Sequence, residues 1–126
     1  MITVEQAEQV HNVLIRKFGG LTGIRDKPGL EAALARPHAT FDGQELYAEP
    51  VDKAAAIFES LVINHPFMDG NKRISYVLMR LTLLDSGFDI TATQTEKYEM
   101  VIAASKGEIR FDEIRNWLAD RLLKLS

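Results

Sequence analysis

The stretch "AAAIFESLVINHPFMDGNKRISYVLMRLTLL", from Ala54 to Leu84, predicts two apolar helices joined by a short polar loop. Apolar residues recur at helical spacing before the loop and again after it. Pro66 disfavours helical backbone at the residue before it, and Gly70 permits the tight turn that precedes the second helix. The sequence therefore places a histidine, a carboxylate, an asparagine and two cations where one core helix ends and the next begins.

The rest of the chain predicts further helices and one irregular segment. Helical spacing runs from Val4 to Phe18, from Pro28 to near Pro37, from about Thr95 to Lys106 and from about Asp112 to Leu125. In the helix after the loop, the predicted core stripe is Ile74, Val77, Leu78, Leu81 and Leu84. The segment from His38 to Pro50 lacks a helical period and contains Asp42-Gly43, so we expect a short flap or hairpin there. No other strand pair is predicted, and the expected fold is an all-α bundle of about six helices in one domain, residues 1–126.

Composition narrows the class of protein. The chain has 126 residues, of which 46% are hydrophobic and 26% charged, with a formal net charge of −3 and no cysteine. A single domain with its own core is expected at this length, and no apolar run approaches the roughly 18 residues of a membrane span. The lack of cysteine excludes disulfides and thiolate zinc sites and makes a cytoplasmic location the expectation. The acidic balance argues against a general nucleic-acid binder, including a helix-turn-helix protein.

The start of the second core helix favours an anion-binding site. The first N–H groups of that helix, near Asn71, lack intrahelical acceptors and carry a partial positive charge. Lys72 and Arg73 add cations at the end of the helix where the macrodipole disfavours them, as expected if they face an external anion. Asp69 is a candidate magnesium ligand and also a candidate cap of the second helix, and the two roles could coexist. His65 is a candidate general base. Together these groups are a minimal set for phosphoryl or nucleotidyl transfer.

The motif "HPFMDGNKR", from His65 to Arg73, resembles the signature of the Fic/Doc superfamily, H-P-F-x-[DE]-G-N-G-R-x-x-R. The segments "GGLTGIRDKPGLEAALARPHATF", from Gly19, and "GFDI", from Gly87, are similar to the Doc (death-on-curing) branch. The resemblance extends over nearly the whole chain. It implies the all-α Fic/Doc fold and a nucleotide-dependent transfer reaction.

The resemblance also implies a role for each charged residue of the motif. His65 would accept the proton from a target hydroxyl, and Asp69 would bind the metal that bridges the nucleotide phosphates. Lys72 and Arg73 would contact the phosphates, with Arg73 counted among the catalytic residues. The implied cofactors are ATP and Mg²⁺.

Other residues would support these roles. The backbone of Gly70 and Asn71 would line an anion hole, with the Asn71 amide orienting either a phosphate or the loop. Phe67 would anchor the loop in the core, and the flap residues Phe41 and Tyr47 would align a target peptide. By contrast, the histidines outside the motif, His11 and His38, and the cation Arg80 have no partner nearby in sequence and are expected to be ordinary structural or solvated residues.

Two departures from the signature determine the expected reaction. Its second glycine is Lys72 here, and its final arginine is Tyr76. A lysine adds bulk and charge where AMP-transferring members hold the nucleotide. In the Doc branch the same substitution accompanies an inverted nucleotide whose γ-phosphate faces the base. The resemblance therefore implies a kinase-like toxin that phosphorylates a Ser/Thr hydroxyl of elongation factor Tu and halts translation, with an AMP transferase or a non-catalytic nucleotide-binding module as alternatives.

The expected partner is an antitoxin. The inhibitory motif [ST]-x-x-x-E-[GN] of many Fic proteins has no match, since no glutamate precedes glycine or asparagine. The resemblance to the Doc branch implies a Phd-like antitoxin whose disordered C-terminal segment folds into a groove on the toxin. Neither a membrane nor a nucleic acid is an expected partner.

Overall fold

The computed structural model describes all residues from 1 to 126, and six α-helices dominate it. The helices are α1 Val4–Phe18, α2 Lys27–Ala35, α3 Pro50–Asn64, α4 Asn71–Asp85, α5 Gln94–Ser105 and α6 Phe111–Asp120. A single 3₁₀ turn, Arg36–His38, follows α2. The all-α class predicted from the sequence is confirmed. None of the helices is long and apolar enough to cross a membrane.

Local capping signals position several helix ends. Thr3 and Gln6 form a capping box at the start of α1, and Thr93 and Glu96 form another at the start of α5. In each box the side chains satisfy backbone N–H groups that the helix itself leaves without acceptors. These signals depend only on neighbouring residues, so the sequence predicts them well.

The α3–α4 pair forms the centre of the molecule and contributes to two separate core clusters. One cluster joins the pair to α1 and α2, and the other joins it to α5 and α6. Because α4 packs into both clusters, the surface that it buries is wider than a single line of residues along the helix. The single stripe predicted for this helix is therefore wrong in part, since Leu81 is 39% exposed whereas Met79 and Leu83 are fully buried.

The irregular segment before α3 contains the predicted hairpin. Strand β1, Thr40–Phe41, pairs antiparallel with β2, Gln44–Glu45. The two turn residues Asp42 and Gly43 both have positive φ, at 53° and 76°, as a two-residue hairpin turn requires. The predicted hairpin is confirmed.

A second strand pair corrects the sequence analysis, which expected none. Strand β3, Phe88–Ile90, pairs antiparallel with β4, Leu122–Lys124. The last helix therefore ends at Asp120 instead of continuing to Leu125. The leucines of β4 happen to fit the helical spacing of α6, and no local pattern identifies strands of three residues that lie far apart in the chain.

Candidate active site at the start of α4

The loop between α3 and α4, His65–Gly70, is called here the signature loop, and its first residue has an unusual backbone. His65 ends α3 in the left-handed conformation, with φ 49° and ψ 57°. This conformation costs a non-glycine residue roughly 1–2 kcal/mol. Arg25 stabilises it, because its Nε donates to the His65 carbonyl at 2.9 Å and its Nη2 donates to the Asn64 carbonyl at 2.9 Å. The imidazole of His65 is thereby kept exposed beside the start of α4.

The Asn71 side chain holds the signature loop together. Its Oδ1 accepts from the Phe67 N–H at 3.0 Å, and its Nδ2 donates to the Phe67 carbonyl at 3.0 Å. The Phe67 ring is 1% exposed and packs in the core below. Of the two partners considered for the Asn71 amide, a phosphate or the loop, the structure therefore gives it the loop.

Asp69 is exposed, and its carboxylate is oriented by backbone donors. Oδ1 accepts from the Gly70 N–H at 2.8 Å, and Oδ2 accepts from the Leu21 N–H at 3.1 Å. Asp69 does not cap the helix: the N-cap of α4 is Gly70, and no side chain accepts a cap hydrogen bond from the N–H groups of the first turn. The first N–H groups of α4 therefore remain available, and each carboxylate oxygen retains a lone pair for a further ligand.

The signature loop and the start of α4 form one wall of a cleft with a volume of about 580 Å³. This wall includes six residues of the motif, namely His65, Asp69, Gly70, Asn71, Lys72 and Arg73. The opposite wall belongs to α5 and includes Gln94, Lys97 and Tyr98. Sequence analysis missed these three residues because no motif marks them and only packing brings α5 across from α4.

The cleft concentrates cations that no carboxylate neutralises. Lys72, Arg73 and Lys97 form no ion pair, although six ion pairs occur elsewhere in the molecule. The Arg73 guanidinium instead lies 4.1 Å from the centroid of the Phe18 ring, a cation–π contact. The cleft is thus locally positive in a chain whose net charge is −3.

Two further polar groups, to which sequence analysis assigned no role in the site, lie near the cleft. His11 on α1 is 1% exposed, stacks on Phe67, and places its Nε2 2.8 Å from the Asp69 carbonyl oxygen. His11 is thus hydrogen-bonded within the chain, as an ordinary structural histidine would be, but it is fully buried and its partner belongs to the motif. Tyr76 lines the cleft, and its hydroxyl is buried without a hydrogen-bond partner. Burial raises the pKa of the Tyr76 phenol.

The other residues singled out in the sequence lie outside the cleft. Phe41 is 74% exposed on the hairpin, and the Tyr47 hydroxyl accepts from Arg36 Nε at 3.0 Å. Their role in aligning a target therefore stays a prediction. Arg80 forms two hydrogen bonds with Asp89, each of 2.9 Å, and does not line the cleft.

Comparison with known proteins identifies the family. Residues 1–83 match the model of the Fic/DOC family. Toxin Doc of Mycolicibacterium smegmatis is 43% identical over 75 residues, which are 60% of this chain and 58% of that protein, so the match spans less than two thirds of its length. Protein kinase doc of Escherichia phage P1 is 26% identical over 117 residues, 93% of this chain and 91% of the relative. Protein adenylyltransferase fic-1 of Caenorhabditis elegans is 34% identical over 73 residues, 55% of this chain and 14% of that protein. With the family model covering most of the chain and the motif at the mouth of the cleft, this chain belongs to the Fic/DOC family.

Proposed function

We propose that this chain is the toxin of a toxin–antitoxin system and acts as a Doc-like kinase. It would transfer the γ-phosphate of ATP to a Ser/Thr hydroxyl of a translation factor, elongation factor Tu, and so arrest translation. The observation that carries the proposal is the set of cations without countercharge at the uncapped start of α4, beside His65 and Asp69. Such a site favours a polyanion with a reactive group next to it.

The phosphates would bind at the first turn of α4. Its backbone N–H groups have no side-chain acceptor, and Lys72 and Arg73 supply full positive charge at the same point. A guanidinium binds phosphate through paired N–H donors. To reach a phosphate, the Arg73 side chain would move away from its present position over the Phe18 ring or shift across that ring.

The residues present fit a magnesium ion held mainly by phosphates. No group of three or more His, Cys, Asp or Glu side chains forms a metal site by itself, whereas Mg²⁺ is typically bound by one or two carboxylates plus substrate phosphates and water. Asp69 would be the protein ligand, because it lines the cleft and backbone donors fix its orientation. A bound magnesium ion would offset the negative charge of the phosphates.

The chemical step requires one proton acceptor. The target hydroxyl oxygen forms a bond to the γ-phosphorus, the bond from that phosphorus to the bridging oxygen breaks, and ADP leaves with the electron pair. His65 accepts the hydroxyl proton, while the cations at the start of α4 stabilise the charge on the transferred group and on ADP. The exposed position of His65 leaves room for a protein substrate at the mouth of the cleft.

Two observations favour γ-phosphate transfer over AMP transfer. Lys72 occupies the position where the AMP-transferring form of the motif has glycine, so its side chain would obstruct a nucleotide held close to the helix start. The relative that covers nearly the whole chain is named a kinase, whereas the relative named an adenylyltransferase matches only over 55% of it.

A Phd-like antitoxin would restrain the toxin in the cell, because the chain lacks the inhibitory motif of many Fic proteins.

A transfer assay tests the proposal. Purified protein is incubated with bacterial elongation factor Tu and with ATP labelled at either the α- or the γ-phosphate. Label from the γ-phosphate alone is expected. Label from the α-phosphate would identify an AMP transferase, and ATP binding without transfer to this target or to proteins of a lysate would identify a nucleotide-binding module.

The variant Lys72→Gly tests the argument for the nucleotide orientation. Removing the side chain is expected to abolish γ-phosphate transfer or to permit transfer of AMP. Unchanged γ-phosphate transfer in this variant would contradict the role given to Lys72. Lys106→Gly, at the exposed end of α5, is the matched control and should leave the reaction unchanged.

A further inference from the structure

We infer that His11, on the first helix, is a positioning residue of the candidate site. Its Nε2–H holds the main chain at Asp69 and thereby sets where the Asp69 carboxylate lies. The consequence for metal and nucleotide binding rests on the proposed function, whereas the positioning itself rests on contacts within the chain.

The hydrogen bond determines which tautomer His11 adopts. The Asp69 carbonyl oxygen lies 2.8 Å from His11 Nε2 and can only accept. The Nε2 atom must therefore carry a proton. The other ring nitrogen, Nδ1, is buried and has no hydrogen-bond partner, so nothing in the surroundings favours the alternative tautomer.

Packing alone does not explain a histidine at this position. His11 is 1% exposed in an apolar cluster, where an uncompensated polar atom costs roughly 1–3 kcal/mol. A leucine or phenylalanine would fill the space without that cost. The one interaction that only a ring N–H provides here is the bond to the Asp69 carbonyl, which indicates that this bond is the reason for the histidine.

Two further contacts fix the same loop from the side of α1. The His11 ring stacks on Phe67 with centroids 4.1 Å apart and planes at 10°, and Asn71 in turn holds the Phe67 backbone. On the carboxylate itself, the Leu21 N–H donates to Oδ2 of Asp69. A Cβ atom on Gly20 would lie 2.7 Å from that oxygen, so the turn after α1 approaches it as closely as glycine allows. Thus α1 and its following turn hold Asp69 by both main chain and side chain.

Two substitutions separate the hydrogen bond from the ring. His11→Phe keeps an aromatic ring against Phe67 and removes the donor, whereas His11→Gln keeps an N–H donor of similar reach and removes the ring. The measured quantity is the ATP affinity by calorimetry, with Mg²⁺ and with EDTA, alongside the melting temperature. Leu34→Val is the control, because Leu34 belongs to the core cluster that contains Phe67 but lies on α2, outside the signature loop.

We expect His11→Phe to reduce the Mg²⁺-dependent gain in ATP affinity about 10–100-fold, the usual cost of losing a partner that orients a metal ligand. Its affinity in EDTA should match that of the wild type. His11→Gln should retain most of the gain, and Leu34→Val should lower stability without changing either affinity. A folded His11→Phe with the full gain, or a folded His11→Gln as impaired as His11→Phe, would overturn the inference.

The tautomer gives a test that needs no variant. Nitrogen NMR of the wild-type protein should find the His11 proton on Nε2, and a proton on Nδ1 alone would overturn the inference. If the wild type binds no ATP at all, the proposed function fails, while the tautomer still decides whether His11 holds the Asp69 main chain.

Discussion

Cationic side chains gather in two regions of this molecule, and only one of the regions supplies its own countercharge. In the Glu59 cluster, defined here as Glu59, Arg36 and Arg110, the carboxylate accepts from Arg36 at 2.8 Å and from Arg110 at 3.0 Å. Burial raises the pKa of Glu59, but the hydrogen bonds from both arginines outweigh it and hold the pKa below its ordinary value. The Arg36 guanidinium also lies over the rings of Tyr47 and Phe111, so each cation of this region has a partner within the chain.

The cleft is the opposite case. Lys72, Arg73 and Lys97 face a common space, and the one carboxylate that lines it, Asp69, forms no ion pair with them. Similar residue types thus stabilise the fold in one region and remain without an ion-pair partner in the other. The comparison predicts that substitutions in the Glu59 cluster change stability, whereas substitutions at the cleft change binding and transfer.

The largest expected effect is at His65. His65→Ala should lower phosphate transfer roughly 10²–10⁴-fold, the usual contribution of a general base, with little change in stability because the side chain is exposed. The same substitution should relieve growth arrest in cells that express the chain without an antitoxin. His38→Ala, which removes an exposed histidine outside the cleft, is the control. Persistent toxicity of a folded His65→Ala protein would move the active site elsewhere.

The Glu59 cluster should show the reverse pattern. Glu59→Gln should lower the free energy of unfolding by about 2 kcal/mol, because it removes the charged partner of Arg36 and Arg110. Chemical denaturation measures this loss, and calorimetry should find the ATP affinity unchanged. A loss of affinity without a loss of stability would break the distinction between the two regions.

Substitution of Lys97 tests whether α5 contributes to the proposed phosphate site. Lys97→Gln should weaken ATP binding by a factor of about 5, since a half-buried cation near a phosphate contributes on the order of 1 kcal/mol. Lys106→Gln removes the same charge from the other end of the same helix and should leave the affinity unchanged. Equal affinities for wild type and Lys97→Gln would restrict the site to the α4 wall.

The smallest effect concerns the pair formed by the exposed Arg80 and the half-buried Asp89. The hydrogen bonds from Arg80 lower the pKa of Asp89 from 3.8 to about 2. A carboxylate with a depressed pKa stabilises the fold above its unfolded-state pKa and loses that contribution as the pH falls through the folded-state value. Asp89→Asn should therefore destabilise the protein by less than about 1 kcal/mol near neutrality, and the difference from wild type should shrink between about pH 4 and pH 2. A difference that persists below pH 2 would show that the pair acts through something other than charge.

The site illustrates how far local sequence signals reach. The left-handed turn at Gly70, the start of α4 at Asn71 and the adjacency of Lys72 to Arg73 all follow from residues within one turn of each other. The choice made by the Asn71 amide between loop and ligand did not follow from the sequence, because both partners were chemically reasonable and only the folded loop places the Phe67 backbone within reach.

By itself the sequence determined the helical class, the hairpin at Asp42-Gly43 and the polar chemistry of the signature loop, because periodicity, turn residues and capping act between near neighbours. The tertiary structure decided what those residues meet. It paired β3 with β4, gave Arg80 a carboxylate partner, left the cleft cations without one, and brought His11 beneath Asp69. No local pattern in the sequence signals these pairings, or the lack of one in the cleft, because they are fixed only when the helices pack.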